Sequence, residues 1–246
     1  MKQALLIGIN YIGTRGELRG CINDIQNVHD MLLSRSYSEH NITVLTDLTE
    51  EKPTRANIIH HFKKLIYNSA SQLYFHYAGH GSQIRDTDGD EEDGLDECLI
   101  PVDYKSAGVI VDDELKEILM LLRADQKLFA VMDCCHSGTG LDLRYNLYVR
   151  VGGSDLVLVQ NKRVAATLGQ CVLLSGCQDS QTSADAYIDD KSQGAMTYAF
   201  LEALPEAKNL VALMASIKKT LKEKGYSQVP NLSTGTRMSL KAKLDI

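Results

Sequence analysis

At 246 residues and 44% hydrophobic content, the chain can bury a substantial core without disulfides or metals, and one large α/β domain is the simplest expectation. The formal net charge is −6, but residues 86–97 hold eight acids and no base, so the acidity is a local feature rather than a property of the whole surface. No basic stripe of the kind that nucleic acid requires is present, and no apolar run reaches the roughly 18 residues of a membrane helix.

The opening residues read directly as a strand, 4–9, with no charged segment, apolar segment and cleavage site ahead of it. A cytoplasmic, reducing home follows as the expectation, with the thiols of Cys21, Cys98, Cys134, Cys135, Cys171 and Cys177 unpaired and no membrane or nucleic-acid partner. No C-x-x-C occurs, which removes the usual support for zinc or thioredoxin-type chemistry. A helical period over 23–33 places Ile25, Val28, Met31 and Leu32 on one face. A second strand at 42–45 and a helix at 54–67, with Ile58, Ile59, Phe62, Leu65 and Ile66 in register, come next. Strands at 73–77, 127–132 and 171–174 and helices at 113–122, 195–203 and 210–222 complete the pattern, the last two helices closing the chain. Such alternation predicts a mostly parallel sheet covered on both faces. Residues 142–170 have mixed polarity, the pair Gly152-Gly153 and scattered bases, and read mainly as an exposed loop.

Two of the predicted strands end abruptly in reactive residues. One runs Leu73-Tyr74-Phe75-His76-Tyr77-Ala78 into Gly79-His80-Gly81, and the other runs Lys127-Leu128-Phe129-Ala130-Val131-Met132 into Asp133-Cys134-Cys135-His136. Carboxyl ends of buried strands are where open α/β sheets build their sites, so the two tips are candidates for one site. A thiol that cleaves peptides needs a partly formed thiolate, a histidine to protonate the leaving amine, donors for the oxyanion and a pocket for the side chain before the cut. Cys135 and His80 supply the first two, and the backbone N–H groups of Gly81 and Cys135 supply candidate donors. Taken alone, a strand-end cysteine reads as a small buried hydrophobe. Its combination with Gly79-His80-Gly81 changes that reading.

These residues resemble the paired signatures of metacaspases, the caspase-like cysteine peptidases. Tyr77-Ala78-Gly79-His80-Gly81-Ser82 and Asp133-Cys134-Cys135-His136-Ser137-Gly138 carry the resemblance, and Cys135 follows His80 by 55 residues, similar to the caspase spacing of about 50. Further matching stretches begin at Leu18, Cys98, Ile110 and Ser175, so the resemblance runs in order along almost the whole chain. It implies a caspase-like three-layer sandwich, one domain over 1–246, with a p20-like region over about 1–145 and a p10-like region over about 165–246. It also implies that Cys135 is the nucleophile and His80 its partner, while Cys134, one residue earlier and therefore on the opposite face, packs. Cys21, Asp24 and Asp133 match the S1 pocket, which in metacaspases prefers arginine or lysine; paired carboxylates would repel an acidic side chain. For Asp24 the competing reading is a helix N-cap ahead of Ile25.

By the same resemblance, Asp96, Asp112, Asp113 and Asp142 match four aspartates that bind an activating Ca²⁺, a cation suited to hard oxygen donors. Asp112 and Asp113 also open a helix, where acids are favoured with or without a metal. The acids from Asp86 to Glu97 imitate an EF-hand spacing, but Glu91 stands where glycine is needed, and the solvated acidic loop remains the plain reading. Ala78 replaces a serine common in the family. Self-cleavage at Arg144, Arg150, Lys162 or Arg163 is open, a monomer is expected, and an inactive caspase-like interaction module is the alternative function.

Overall fold

Strand β1 (Lys2–Gly8) buries Ala4 and Leu6 in one apolar cluster and Leu5 and Ile7 in another, so it is covered on both faces, as a central parallel strand must be. The computed structural model describes residues 1–85, 94–134, 140–149, 156–176, 185–188, 191–226 and 228–246. After β1 come α1 (Cys21–Ser34), β2 (Ile42–Thr46), α2 (Arg55–Tyr67), β3 (Gln72–Ala78), β4 (Gly81–Arg85), β5 (Leu95–Leu99), α3 (Tyr104–Ala107), β6 (Ile110–Val111) and α4 (Asp112–Leu119). The second half holds β7 (Lys127–Asp133), β8 (Tyr145–Val149), β9 (Leu156–Gln160), β10 (Gln170–Ser175), β11 (Asp185–Ile188), β12 (Lys191–Gly194), α5 (Ala195–Ala203), α6 (Leu210–Glu223) and β13 (Asn231–Thr234).

The main sheet runs β2-β1-β3-β7-β10-β13-β8-β9. Its first five strands are parallel, and β13, β8 and β9 extend it in antiparallel fashion. On one face lie α1, α5 and α6, whose Ile25, Val28, Phe200, Leu213 and Ile217 pack with Tyr74, Phe129 and Val131. On the other lie α2 and α4, whose Ile58, Phe62, Leu115 and Ile118 pack with Phe75, Tyr77, Ala130 and Met132. The result is the expected three-layer arrangement. A separate three-stranded sheet, β4-β5-β6, connects the end of β3 to α4.

Three sequence expectations are corrected. Residues 145–149 and 156–160 of the predicted loop are strands β8 and β9, because β13 offers a hydrogen-bonding edge that local sequence does not show. The last helix is followed by β13, so helices do not close the chain. Asp24 is not an N-cap: α1 begins at Cys21 with Gly20 as its cap, and Asp24 lies inside the first turn.

Candidate active site

Parallel pairing brings the tips of β3 and β7 level, with Ala78 opposite Asp133. The backbone N–H of Gly79 still reaches the Asp133 carbonyl at 3.4 Å, and the N–H of Ile9, just past β1, reaches the carbonyl of Ala78 at 3.0 Å. His80 therefore leaves the sheet at the same edge as Asp133 and Cys134. Cys135, with its assigned nucleophile and oxyanion roles, lies outside the described residues, as do His136 and the acidic segment 86–93.

His80 is held from four sides. Its backbone N–H donates to the Tyr11 hydroxyl at 3.0 Å, and its carbonyl accepts from the Tyr77 hydroxyl at 2.8 Å. The Tyr11 ring lies against the imidazole with centroids 4.6 Å apart. Nε2 sits 2.7 Å from the Gly16 carbonyl, which can only accept, so Nε2 carries a hydrogen and Nδ1 is the basic nitrogen of the neutral ring. The Tyr11 hydroxyl in turn donates to the Ile100 carbonyl at 2.7 Å. Burial pushes the Tyr11 and Tyr77 phenols up, so both stay protonated and serve as fixed hydrogen-bonding groups. Gly79 is required by close approach: a Cβ there would lie 2.9 Å from the Tyr77 hydroxyl and 3.1 Å from that of Tyr11. Gly81, next to His80, is half-buried at the start of β4.

Asp24 and Asp133 are 97 to 99% shielded from solvent, with relative exposures of 1% and 3%. Both carboxylates converge on Gly194, the last residue of β12: Asp24 Oδ2 accepts its N–H at 2.8 Å, and a Cβ on it would lie 2.2 Å from Asp133 Oδ2. Asp133 Oδ2 also accepts the backbone N–H and the hydroxyl of Thr197, each at 2.8 Å, in the first turn of α5. Cys21 begins α1 one helical turn from Asp24 and is buried. Cys134 is buried on the α2/α4 face with Met132, as strand alternation predicts. No disulfide joins Cys21, Cys98, Cys134 or Cys171. Ala78 is buried directly opposite Asp133.

The four aspartates matched to calcium lie at the other side of the strand tip. Asp96, Asp112 and Asp142 are buried, and Asp113 is partly exposed at the start of α4. Lys116 pairs with Asp142 and lies 3.8 Å from Asp113. Burial pushes the Cys98 thiol up to about 11, and the nearby carboxylates of Asp112, Glu97 and Asp96 add to the rise. Asp112 and Glu97 line a small cavity of about 10 Å³ together with Cys134 and Gly140, which places this acidic region in contact with the β7 tip. Among the described residues, no three His, Cys, Asp or Glu side chains are grouped closely enough to hold a metal ion. All the donors are nonetheless hard oxygens, and the Lys116 ammonium is a cation already drawn in between two of them.

Sequence reasoning reached His80, Asp24 and Asp133 and missed Tyr11, Gly16, Tyr77, Gly194 and Thr197. A signal existed for Tyr11 in its position just after a strand end, where it adopts a φ of 51°, but nothing local tied it to His80.

A family model described as "Metacaspase, peptidase C14 domain" matches residues 2–144. Metacaspase-1A of Neosartorya fischeri is 38% identical over 94% of this chain, and Metacaspase-1 of Saccharomyces cerevisiae is 35% identical over 95% of it. The chain spans 65% and 66% of the length of these two relatives. Among solved structures, a Geobacter sulfurreducens protein superposes with a TM-score of 0.71 at 25% identity, covering 99% of this chain and 97% of that one. Caspase-1 of Spodoptera frugiperda superposes with a TM-score of 0.60 at 12% identity, covering 98% of this chain and 90% of its own, a likeness of fold.

Proposed function

This chain belongs to the metacaspase family of cysteine peptidases, and from that premise we propose that it is an endopeptidase cutting after arginine or lysine through Cys135 and His80. The observation that carries the specificity is the convergence of two buried carboxylates, Asp24 and Asp133, on the single glycine Gly194. The N–H of Gly194 and the N–H and hydroxyl of Thr197 already reach these oxygens, and a P1 guanidinium or ammonium would add a charge-assisted partner that an acidic side chain could not supply.

In this reading Nδ1 of His80 takes the thiol proton of Cys135, the thiolate attacks the scissile carbonyl, the N–H groups of Gly81 and Cys135 receive the developing oxyanion, and the His80 imidazolium gives that proton to the departing amine as the C–N bond breaks. Water then attacks the thioester, with His80 taking its proton, to release the acid and restore the thiol. Support for His80 comes from its fixed tautomer, since Gly16 occupies Nε2–H and leaves Nδ1 for proton transfer. Among the described residues no helix is long and apolar enough to cross a membrane. The proposed partners are protein substrates carrying arginine or lysine before the cut, met by a monomer.

Asp96, Asp112, Asp113 and Asp142 are proposed to supply hard-oxygen ligands to an activating Ca²⁺ that takes no part in bond breaking, and binding would have to draw them closer together than the described arrangement holds them. Their all-carboxylate chemistry and the Lys116 cation between Asp113 and Asp142 support this assignment. Self-cleavage is proposed at Lys162 or Arg163, both exposed beyond the end of β9, ahead of the half-buried Arg144, while Arg150 lies outside the described residues.

The test is hydrolysis of short reporter peptides ending in Arg, Lys or Asp, with and without Ca²⁺, against a Cys135→Ala control. Cleavage after Arg and Lys that vanishes in the control is expected. Preference for Asp would overturn the pocket, and no turnover under any condition would favour the inactive interaction module.

A further inference from the structure

Behind Asp133 the core holds three polar side chains that the proposed reaction does not use. Tyr74, His76 and Thr197 are each 0% exposed, yet they form a continuous line: Tyr74 Oη lies 3.2 Å from His76 Nδ1, His76 Nε2 lies 3.1 Å from Thr197 Oγ1, and Thr197 Oγ1 lies 2.8 Å from Asp133 Oδ2. We propose that Thr197 and His76 are positioning residues for specificity, a one-way hydrogen-bond chain that holds the Asp133 carboxylate charged and aimed at a cationic P1 side chain. The inference rests on the reading of Asp133 as an S1 acid.

The direction of each bond follows from donor and acceptor inventories. An ionised carboxylate only accepts, so the Thr197 hydroxyl donates to Asp133. With that proton committed, Thr197 Oγ1 can only accept from His76, which puts the imidazole hydrogen on Nε2. Nδ1 then carries the lone pair and accepts from the Tyr74 hydroxyl. Burial holds His76 neutral, with its pKa lowered to about 3, so the ring keeps one donor and one acceptor throughout the working range.

Both ends of the chain are anchored. The Tyr74 ring stacks on Phe129 at 6.2 Å, and Phe129 stacks on Phe200 of α5 at 6.0 Å, which locks the far end between β3, β7 and α5. At the near end, the backbone N–H of Thr197 in the first turn of α5 adds a second 2.8 Å bond to the same Asp133 oxygen. Strand alternation puts His76 and Asp133 on one face of neighbouring strands, His76 opposite Val131 and two residues short of the pair Ala78 and Asp133. Each member polarises the next toward the carboxylate, a cooperative arrangement that an apolar core at these positions would not supply.

Two measurements test the chain. Peptides with arginine and with its neutral isostere citrulline at P1 are compared in the intact protein, in Thr197→Val and in Thr197→Ser. The ratio of the two kcat/KM values is expected to fall roughly ten- to a hundredfold in Thr197→Val, and to return to within about threefold of the unmodified protein in Thr197→Ser, which keeps the hydroxyl. Equal losses on both peptides, with the ratio unchanged, would show packing damage alone and overturn the proposal. Independently, ¹⁵N NMR of the His76 imidazole in the unmodified protein should find a neutral ring with its hydrogen on Nε2 between about pH 5 and 8. A hydrogen on Nδ1, or a charged ring, would reverse the chain and sink it without recourse to any variant. If the unmodified protein shows no preference for arginine over citrulline, the S1 reading itself fails, while the NMR result still decides whether the chain exists.

Discussion

Replacement of Gly194 by alanine isolates the two pocket carboxylates with one carbon atom. The backbone there has φ −70° and ψ 132°, a region any residue adopts, so alanine brings no conformational strain. Its Cβ, however, would stand 2.2 Å from Asp133 Oδ2 and 2.9 Å from Asp24 Oδ2. To restore ordinary van der Waals contact the Asp133 oxygen must retreat by about 1 Å, and its two 2.8 Å bonds from Thr197 would then stretch beyond hydrogen-bonding range. Hydrogen bonds to a charged group contribute about 1.5–3 kcal/mol each, and partial relaxation of α5 would recover some of the loss, so a net cost of about 3 kcal/mol is expected. In a peptidase assay this corresponds to a drop of roughly a hundredfold in kcat/KM for arginine substrates, accompanied by a lower midpoint in urea unfolding. A Gly194→Ala protein that keeps both its stability and its arginine preference would refute the carboxylate pocket, because the two oxygens cannot stay where they are beside that Cβ.

Other consequences follow from the same geometry. Tyr11→Phe removes the acceptor of the His80 N–H and the donor to the Ile100 carbonyl, so stability should fall by about 2 kcal/mol and kcat by about tenfold; a stable variant with unchanged kcat would show that the phenol does not position His80. His76 has its pKa lowered from 6.5 to about 3 by burial, so the unfolded chain binds a proton that the folded chain refuses as pH falls below 6.5. Stability linked to this group is intact above that pH and drops by about 1.4 kcal/mol per unit below it, toward pH 3. The difference in unfolding free energy between the unmodified protein and His76→Phe should therefore narrow by about 2 kcal/mol from pH 7 to pH 5, and a constant difference in urea titrations would contradict a neutral buried ring. Lys116→Met removes the cation paired with Asp142 and near Asp113, so calorimetric Ca²⁺ affinity should rise severalfold; equal affinity in both proteins would separate Lys116 from the calcium site.

The parts of this molecule that were legible in advance are those written in local pattern. The five parallel strands and the amphipathic helices appear as apolar periods because a strand buried on both faces and a helix buried on one need those periods to exist at all. Strand β9 carries the apolar run Leu156-Val157-Leu158-Val159, but the places of β8, β9 and β13 in the sheet are defined by which edge they join. Asp24 shows the same limit on the scale of one residue: its sequence context suits a cap, while the fold buries it in a turn against the N–H of Gly194, 170 residues away.

By itself, then, the amino-acid order determined that two reactive strand tips exist, that the segments around them match one peptidase family from residue 2 to residue 144, and that Asp24 and Asp133 are candidate anions for a basic side chain. Tertiary structure alone decided which groups hold them: Tyr11 and Gly16 reach His80 across 69 and 64 residues, and Thr197 reaches Asp133 across 64. Hydrogen bonds between such distant positions leave no periodicity behind, because either partner is compatible with its own helix or strand whether or not the other arrives. Only the packing of α5 and the β1 loop against the sheet edge brings donor and acceptor within 3 Å of each other.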